Sequence, residues 1–301
     1  MQCVRQSLEA GCALARRLPD PVMNAGAALG QVRAVVRGVG EIGSAIAHGL
    51  HRAGAAVVIQ DHPAPSTSRR GMAFVDVMYD GVCVLEGLAA RRADNLMQLG
   101  AILGDRAAIP LAPVSIAELC DYFRPNVFID ARVSRRRRPQ PFIHLAPHTI
   151  GIGPNLMAGI DSHAVIESAW GEQLGAVILN GCTMPHRGDP PSIGGYARER
   201  FVYAPCAGRF HSDRRIGDHV CAGEQVAWID GTPLSAPLTG CLRGLTRSGV
   251  PVSANERVVE IIPEGSDAQI FGLGERPRAI AQGVASALGI LLARTTLAAG
   301  K

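Results

Sequence analysis

Gly38, Gly40 and Gly43 stand in the stretch VVRGVGEIGSAIAHGL (35–50) at the spacing Gly-x-Gly-x-x-Gly, between an apolar run and a segment of helical periodicity. That spacing can hold a phosphate by backbone alone. Gly38 accepts a sharp exit from a strand, Gly40 lets the main chain approach a pyrophosphate, and Gly43 lets a helix pack closely on the strand. The unpaired N–H groups of the first helical turn add roughly half a positive charge. Asp61 follows Gly43 by 18 residues, at the end of a second apolar run, where an acid accepts from a ribose hydroxyl. Glu41 and Ile42 occupy the first helical turn. A carboxylate at Glu41 stabilises an empty helix end by about 0.3 to 1 kcal/mol and repels an arriving phosphate. Arg37, just before the turn, can supply the compensating charge. Two readings stay open, a bound nucleotide or a ligand-free fold kept as scaffold.

Further groups sit where a parallel sheet would present its carboxyl edge. Asp130 ends the apolar run NVFID, and Arg132 and Arg135 to Arg138 follow it. Their forked guanidiniums could clamp phosphates, or could form a solvated, self-repelling loop. Gly151 and Gly153 open a second glycine-rich turn, TIGIGPNLMAGIDSHAVIES, with anion-accepting potential. Asp161, His163 and Glu167 follow closely, but a metal site needs more ligands at firm spacing. Cys182 is the thiol expected to be exposed; with no neighbouring base it is a bystander.

These residues need elements to position them. QVRAVVR, EIGSAIAHGLHRAG and AAVVIQD predict strand, helix and strand, with Ile42, Ala45, Ile46 and Leu50 on one helical face. AFVDVMYDGVCVLEGL predicts a hairpin turning at Asp80-Gly81. Strands at AAIPL, NVFID and HTIGIG and helices near 94–104 and 115–123 complete a mainly parallel, Rossmann-like α/β domain over 31–180. Residues 1–30 form an extension with a weak helix at Ser7–Leu18, and 181–200 form an irregular connector.

Beyond the connector the chain repeats itself. Residues 204–229 align without a gap on 236–261 at an offset of 32, with ten of 26 positions identical. Short alternating strands in each copy predict two interlocked β-hammerheads over 201–263, followed by a C-terminal helix and tail over 264–301 that pack back. The pattern Ala-Pro-x-x-Gly followed by Gly-x-x-Val resembles the biotinyl/lipoyl carrier fold. In carriers the modified lysine lies in the hairpin between the halves, here WIDGTPLSAP, which has none. Biotin and lipoate are excluded, because the chain's one lysine is Lys301.

Composition narrows the function classes. Aromatic residues make up only 4% of the chain against 47% hydrophobic, so the core rests on Val, Ile, Leu and Ala in tight layers. The net charge of +4 is modest, and nearly all of the 30 basic residues are arginine. So complete a bias fits a GC-rich genome rather than selection for phosphate binding, and no nucleic-acid partner is expected. The eight cysteines include no Cys-x-x-Cys pair for zinc or iron–sulfur clusters, and a reducing cytoplasm is expected. The apolar run ASALGILLA, about ten residues, is shorter than the roughly 20 of a membrane span and is expected to dock, with no membrane partner.

Long irregular motifs carry a resemblance. VVRGVGEIGSAIAHGLHRAG, RRGMAFVDVMYDGVCVLEGLAARRAD, IDAR, IGIGPNLMAGIDSHAVIESAWG, IGGYARERFVYAP, APLTGCLRGLTRSGVPV and FGLGERPRAI, spanning about residues 32–295, are similar to the YqeB-type proteins of the selenium-dependent molybdenum hydroxylase system. The resemblance implies an accessory role in maturing xanthine dehydrogenase-type molybdenum hydroxylases, whose subunits would be the protein partners. It implies handling of the cofactor, its nucleotide, or its sulfur or selenium, and does not imply that this chain hydroxylates anything. The expected ligand is a dinucleotide, either NAD(P) or molybdopterin dinucleotide, which share the pyrophosphate. The alternatives are an NAD(P)-dependent oxidoreductase and a ligand-free interaction module; a homo-oligomer is compatible with all three.

Overall fold

The computed structural model describes residues 29–133, 140–186, 188 and 190–299, with side chains to 296. The Ser7–Leu18 helix and the Arg135–Arg138 cluster lie outside the described residues.

The first apolar runs become β1 (Arg33–Arg37), α1 (Glu41–Arg52) and β2 (Ala56–Gln60). After them come a short α2 (Val77–Asp80), the edge hairpin β3 (Val82–Leu85) and β4 (Leu88–Arg92), then α3 (Leu96–Asp105), β5 (Ala108–Ala112), α4 (Ile116–Phe123), β6 (Val127–Asp130) and β7 (His148–Ile152). The helix starts are set by side chains: Asn95 accepts from the Gln98 amide and Ser115 from the Glu118 amide, each filling an otherwise empty donor of the first turn. Past β7 lie β8 (Met157–Ala158), β9 (Ala164–Ile166), β10 (Val177–Ile178) and β11 (Gly181–Cys182), of which β8 and β11 pair only with each other.

The remaining nine strands form one sheet in the order β10-β9-β7-β6-β1-β2-β5-β4-β3, parallel throughout except at its two edge pairs, β9 with β10 and β3 with β4. From β1 the chain adds β2, then the β3–β4 hairpin at the edge and β5 between β2 and β4, and returns to the other side of β1 for β6, β7 and β9. Strand order therefore reverses between β1 and β6, the position where open α/β sheets bind ligands. In register Arg37 lies beside both Gln60 and Asp130, and Asp130 beside Gly151, so the carboxyl ends of four strands form one edge.

Alternation along the strands serves two layers. Ala34 and Val36 face α1 and the C-terminal helix α5 (Glu275–Ala299), while Val35 and Phe128 face the side closed by Leu99 of α3 and Leu119 and Phe123 of α4. By length and composition Glu275–Thr296 is apolar enough to cross a membrane, with mean hydropathy 1.3, more than the ten-residue run suggested. Here its Ile280, Val284, Ala287, Leu288 and Leu291 stripe is buried in the core.

One turn moves. Asp80-Gly81 does not turn the hairpin: Gly81, at φ +78°, closes α2, and the β3–β4 turn is Glu86-Gly87. Val77 and Met78 are buried, which favours one more helical turn there, and Glu86 tolerates φ +47° because its carboxylate accepts from the Leu273 amide and Arg278.

The repeat at offset 32 is realised strand by strand. The first copy gives β12 (Phe201–Tyr203), β13 (Gly208–His211), β14 (His219–Val220) and β15 (Gln225–Ile229); the second gives β16 (Thr232–Ser235), β17 (Gly240–Leu245), β18 (Pro251–Val252) and β19 (Arg257–Pro263). Two four-stranded sheets result, β12-β19-β17-β14 and β16-β15-β13-β18. Exchanging the copies converts one sheet into the other, and each sheet takes two strands from each copy. The loop after β2 straps this unit to the large sheet: Leu245 N–H donates to Ser68 O, Arg70 reaches Leu245 O, and Arg247 pairs with Asp80.

Candidate functional site

All eleven residues singled out at the two glycine turns and their neighbours fall at or beside the carboxyl edge of the sheet. Gly38, at φ +111°, takes the sharp exit from β1, and its N–H donates to Gln60 O. A Cβ on Gly43 would lie 1.8 Å from Gly38 O, so α1 packs on the turn only because that residue is glycine. Ile42 is buried in the core. Gly40 differs from the other two. Its φ of −63° suits any residue, and only Thr67 Oγ1, at 4.0 Å, stands near the space a side chain would fill. It nevertheless leaves α1 without a side-chain cap.

The acids around the turn are held by hydrogen bonds. Asp61 accepts from the Val39 and His62 amides, at 2.7 Å each. Asp130 is buried and accepts from Arg132 Nε and Nη2 at 3.0 and 2.6 Å, a fork that raises the pKa of Arg132; the Arg132 side chain in turn lies over Gly38. Burial and the nearby Arg132 cation press Arg37 below its ordinary value. Gly151 serves packing, since Leu156, Phe142 and Ser162 occupy the volume a side chain would need. Gly153 takes φ +143° beside Val133, and its carbonyl accepts from Thr183. Asp161, His163 and Glu167 do not converge: Asp161 caps the Met157 amide, His163 pairs with Thr149, and Glu167 accepts from the Ser168, Ala169 and Met184 amides. Among the described residues no cluster of metal-binding groups occurs. Cys182 is exposed, as is Cys221.

Glu41 is where sequence reasoning fell short. Its charge is met by Arg69 at 2.7 Å rather than by Arg37. Burial opposes ionisation of Glu41, but the Arg69 guanidinium outweighs it and holds the carboxyl below its ordinary value. Arg69 continues to Glu260 of β19, at 2.6 Å, and Glu260 also receives Arg200 and, at 3.4 Å, Arg243. Burial raises the Glu260 pKa, yet Arg69, Arg257 and Arg243 together bring it down to about 2. An ionic bridge thus links the helix that starts at the glycine turn to the repeat unit.

The missed residues do leave a trace in the sequence. At offset 32, Arg243 and Glu260 correspond to His211 and Trp228. His211 and Trp228 stack, with ring centroids 5.8 Å apart, while their equivalents form an ion pair. Charge at strand positions that are aromatic in the twin copy marks the face that docks.

A cleft of about 610 Å3 opens along this bridge, between the sheet edge at Val133 and Pro154, residues 184–186, 188 and 190–193, the repeat unit and the start of α5. Glu41 lines it, so the cleft begins one residue from the open side of Gly40.

No family model matches the chain. It is 35% identical over 258 residues to the uncharacterized protein YqeB of Escherichia coli strain K12, a match that covers 86% of this chain and 47% of that protein. The chain thus spans about half the length of the curated relative it matches. Solved structures with local likeness include a succinylglutamate desuccinylase/aspartoacylase from Rhodobacter sphaeroides (24% identity, 24% of each chain, TM-score 0.20) and the ectoine utilization protein EutE (DoeB) from Ruegeria pomeroyi (18% identity, 28% of this chain and 27% of that one, TM-score 0.20). TcdA (CsdL) covers 45% of this chain and 55% of its own at 17% identity and TM-score 0.26. At these scores the likenesses carry no functional argument.

Proposed function

We propose, for a chain that is YqeB-like over most of its length, that the glycine turn binds the pyrophosphate of a dinucleotide and that the protein serves as an accessory in maturing a molybdenum-cofactor hydroxylase. The observation that carries the reading is Gly40. The backbone does not require glycine there, and Ser or Asp would cap α1 better by roughly a few tenths of a kcal/mol. A bare N-cap facing open space leaves the first-turn amides to a ligand, at the switch point of a doubly wound sheet.

The surrounding residues then divide the work. Gly38 and Gly43 hold the backbone in register, and the amides at the start of α1 receive the diphosphate. Arg37 and Arg132 balance its charge from the β1 and β6 sides. Asp61, one residue beyond β2, is placed for a ribose hydroxyl and gives up the Val39 amide to do so. The Arg69 bridge removes the obstacle that Glu41 poses, because a carboxylate already paired with a guanidinium repels phosphate less.

The repeat unit fits a biotinyl/lipoyl-type hammerhead put to another use. Its β15–β16 hairpin turns at Asp230-Gly231, both at positive φ, and offers no lysine to modify. In this reading the unit grips a hydroxylase subunit while the sheet domain handles the nucleotide form of the cofactor. The resemblance motifs support that assignment.

Mass spectrometry of small molecules released on denaturing the purified protein tests the proposal. A pterin nucleotide is the expected result. NAD(P) would move the chain to the oxidoreductases, and release of no nucleotide from protein that also fails to take one up would make it an interaction module.

A further inference from the structure

The two edges of the large sheet are finished differently. β10 is two residues long, and α5 packs on it. β3 has no such cover. Val82 and Val84 are 52% and 67% exposed, and the strand carries no proline, no lysine and no bulge, the devices that keep an edge from pairing.

The ladder fixes where the free hydrogen-bonding groups of β3 point. Arg92 N–H donates to Gly81 O at 2.8 Å, so Gly81 and Arg92 are a bonded pair, and alternation makes Cys83–Ala90 and Leu85–Leu88 bonded pairs as well. Val82 and Val84 therefore turn both N–H and C=O away from β4, toward the open side. Among the described residues no group outside the sheet bonds to them. Their side chains share the outer face with Ala89 and Arg91, the residues opposite them on β4, while Cys83 and Leu85 point to the core.

The edge reads alike from both ends: Asp80-Gly-Val-Cys-Val-Leu-Glu86 runs acid, x, Val, Cys, Val, x, acid. We propose that β3 pairs antiparallel with β3 of a second copy of this chain, about a two-fold axis at Cys83, joining two nine-stranded sheets into one. Val82 of each copy then lies opposite Val84 of the other, and each such pair exchanges two hydrogen bonds, which uses every outward group of both valines. The valines of the two copies form one apolar row.

Charge favours the same register. The axis brings Asp80 to the end of the junction that holds Glu86 of the other copy. Each acid arrives with its own guanidinium, Asp80 with Arg247 and Glu86 with Arg278, at 2.5 Å each. Each end is thus a neutral set of two carboxylates and two arginines, and Arg91 stands one strand back from the edge. An isologous contact requires such symmetry of its surface, whereas an unrelated partner does not. Nucleotide binding at the glycine turn is not needed for the pairing.

Sedimentation of the full chain, with amide hydrogen exchange at low and high protein concentration, tests the proposal. Two chains per particle are expected, with exchange at the Val82 and Val84 amides slowing as concentration rises and the Cys83 amide, bonded to β4 in either state, changing far less. Val84→Pro removes an N–H that faces outward, so the dilute variant should melt close to the wild-type monomer while its dimer weakens by on the order of a hundredfold. Val84→Lys keeps the N–H and puts a charge in the apolar row; it should weaken the dimer on the order of tenfold, and it decides the matter if proline disturbs the hairpin. A monomeric wild type, a dimer that both variants leave intact, or a dimer whose valine amides exchange as in the monomer would overturn the proposal. So would valine amides already protected in the monomer, which would mean that the chain covers its own edge.

Discussion

Gly43→Ala is expected to lower the melting temperature by on the order of 10 °C and to abolish any ligand binding at the turn. The new methyl would sit 1.8 Å from Gly38 O and 2.9 Å from Gly38 C, both backbone atoms that no rotamer change can move. Relief requires α1 to lift from β1, and α1 carries Ile42, Ala45, Ile46 and Leu50 into the core beside α5. Overpacking of this kind costs about 3 kcal/mol, and each kcal/mol shifts the midpoint of a chain this size by about 2 to 4 °C. Gly40→Ala is the matched control, expected to cost about 1 kcal/mol or less because its methyl enters open space. Thermal denaturation of the two variants checks the contrast; equal losses would mean that the turn is not packed as described.

Glu260→Gln should loosen the repeat unit from the sheet domain. The substitution keeps the shape but leaves Arg69, Arg200 and Arg243 around a neutral amide, and stripping the partner from buried guanidiniums costs about 3 to 5 kcal/mol. Because Arg69 bonds Glu41 as well, the loss reaches the start of α1. Differential scanning calorimetry should show two separated transitions in place of one. The same bridge sets an acid limit. The Glu260 pKa is depressed in the folded state, to about 2 against an ordinary value of 4.5. Its contribution, on the order of 3 kcal/mol, is therefore complete above about pH 4.5 and is lost as pH falls toward 2. Wild type should lose more stability across that window than Glu260→Gln, which keeps the depressed Glu41, Asp80 and Glu86 carboxyls; parallel pH profiles would refute the bridge.

Much of the architecture is legible in the sequence because it rests on short-range patterns. The alternation of QVRAVVR, EIGSAIAHGLHRAG and AAVVIQD fixes a strand–helix–strand unit locally, and the offset-32 repeat announces paired strands before any fold is known. The hairpin turn is not legible in the same way. Asp80-Gly81 and Glu86-Gly87 are both acid–glycine pairs, and Asp-Gly is the stronger local signal. Burial of Val77 and Met78 and the bonds from Glu86 to Leu273 and Arg278, nearly 190 residues away, settle the matter. At the site, the glycine spacing and the acid at 61 can be read directly, whereas the neutralisation of Glu41 cannot. Arg69 and Glu260 are 191 residues apart and meet only when the repeat unit docks.

Gly40→Asp tests the nucleotide site most directly. Aspartate caps a helix start well, so the variant should melt at or slightly above the wild-type temperature, while its carboxylate occupies the space and charge of the diphosphate. Calorimetric titration with pyridine and pterin dinucleotides should then show binding to wild type and at least a hundredfold loss in Gly40→Asp. Equal affinity in the two proteins, or no affinity of either dinucleotide for wild type, would contradict a diphosphate held by the first turn of α1.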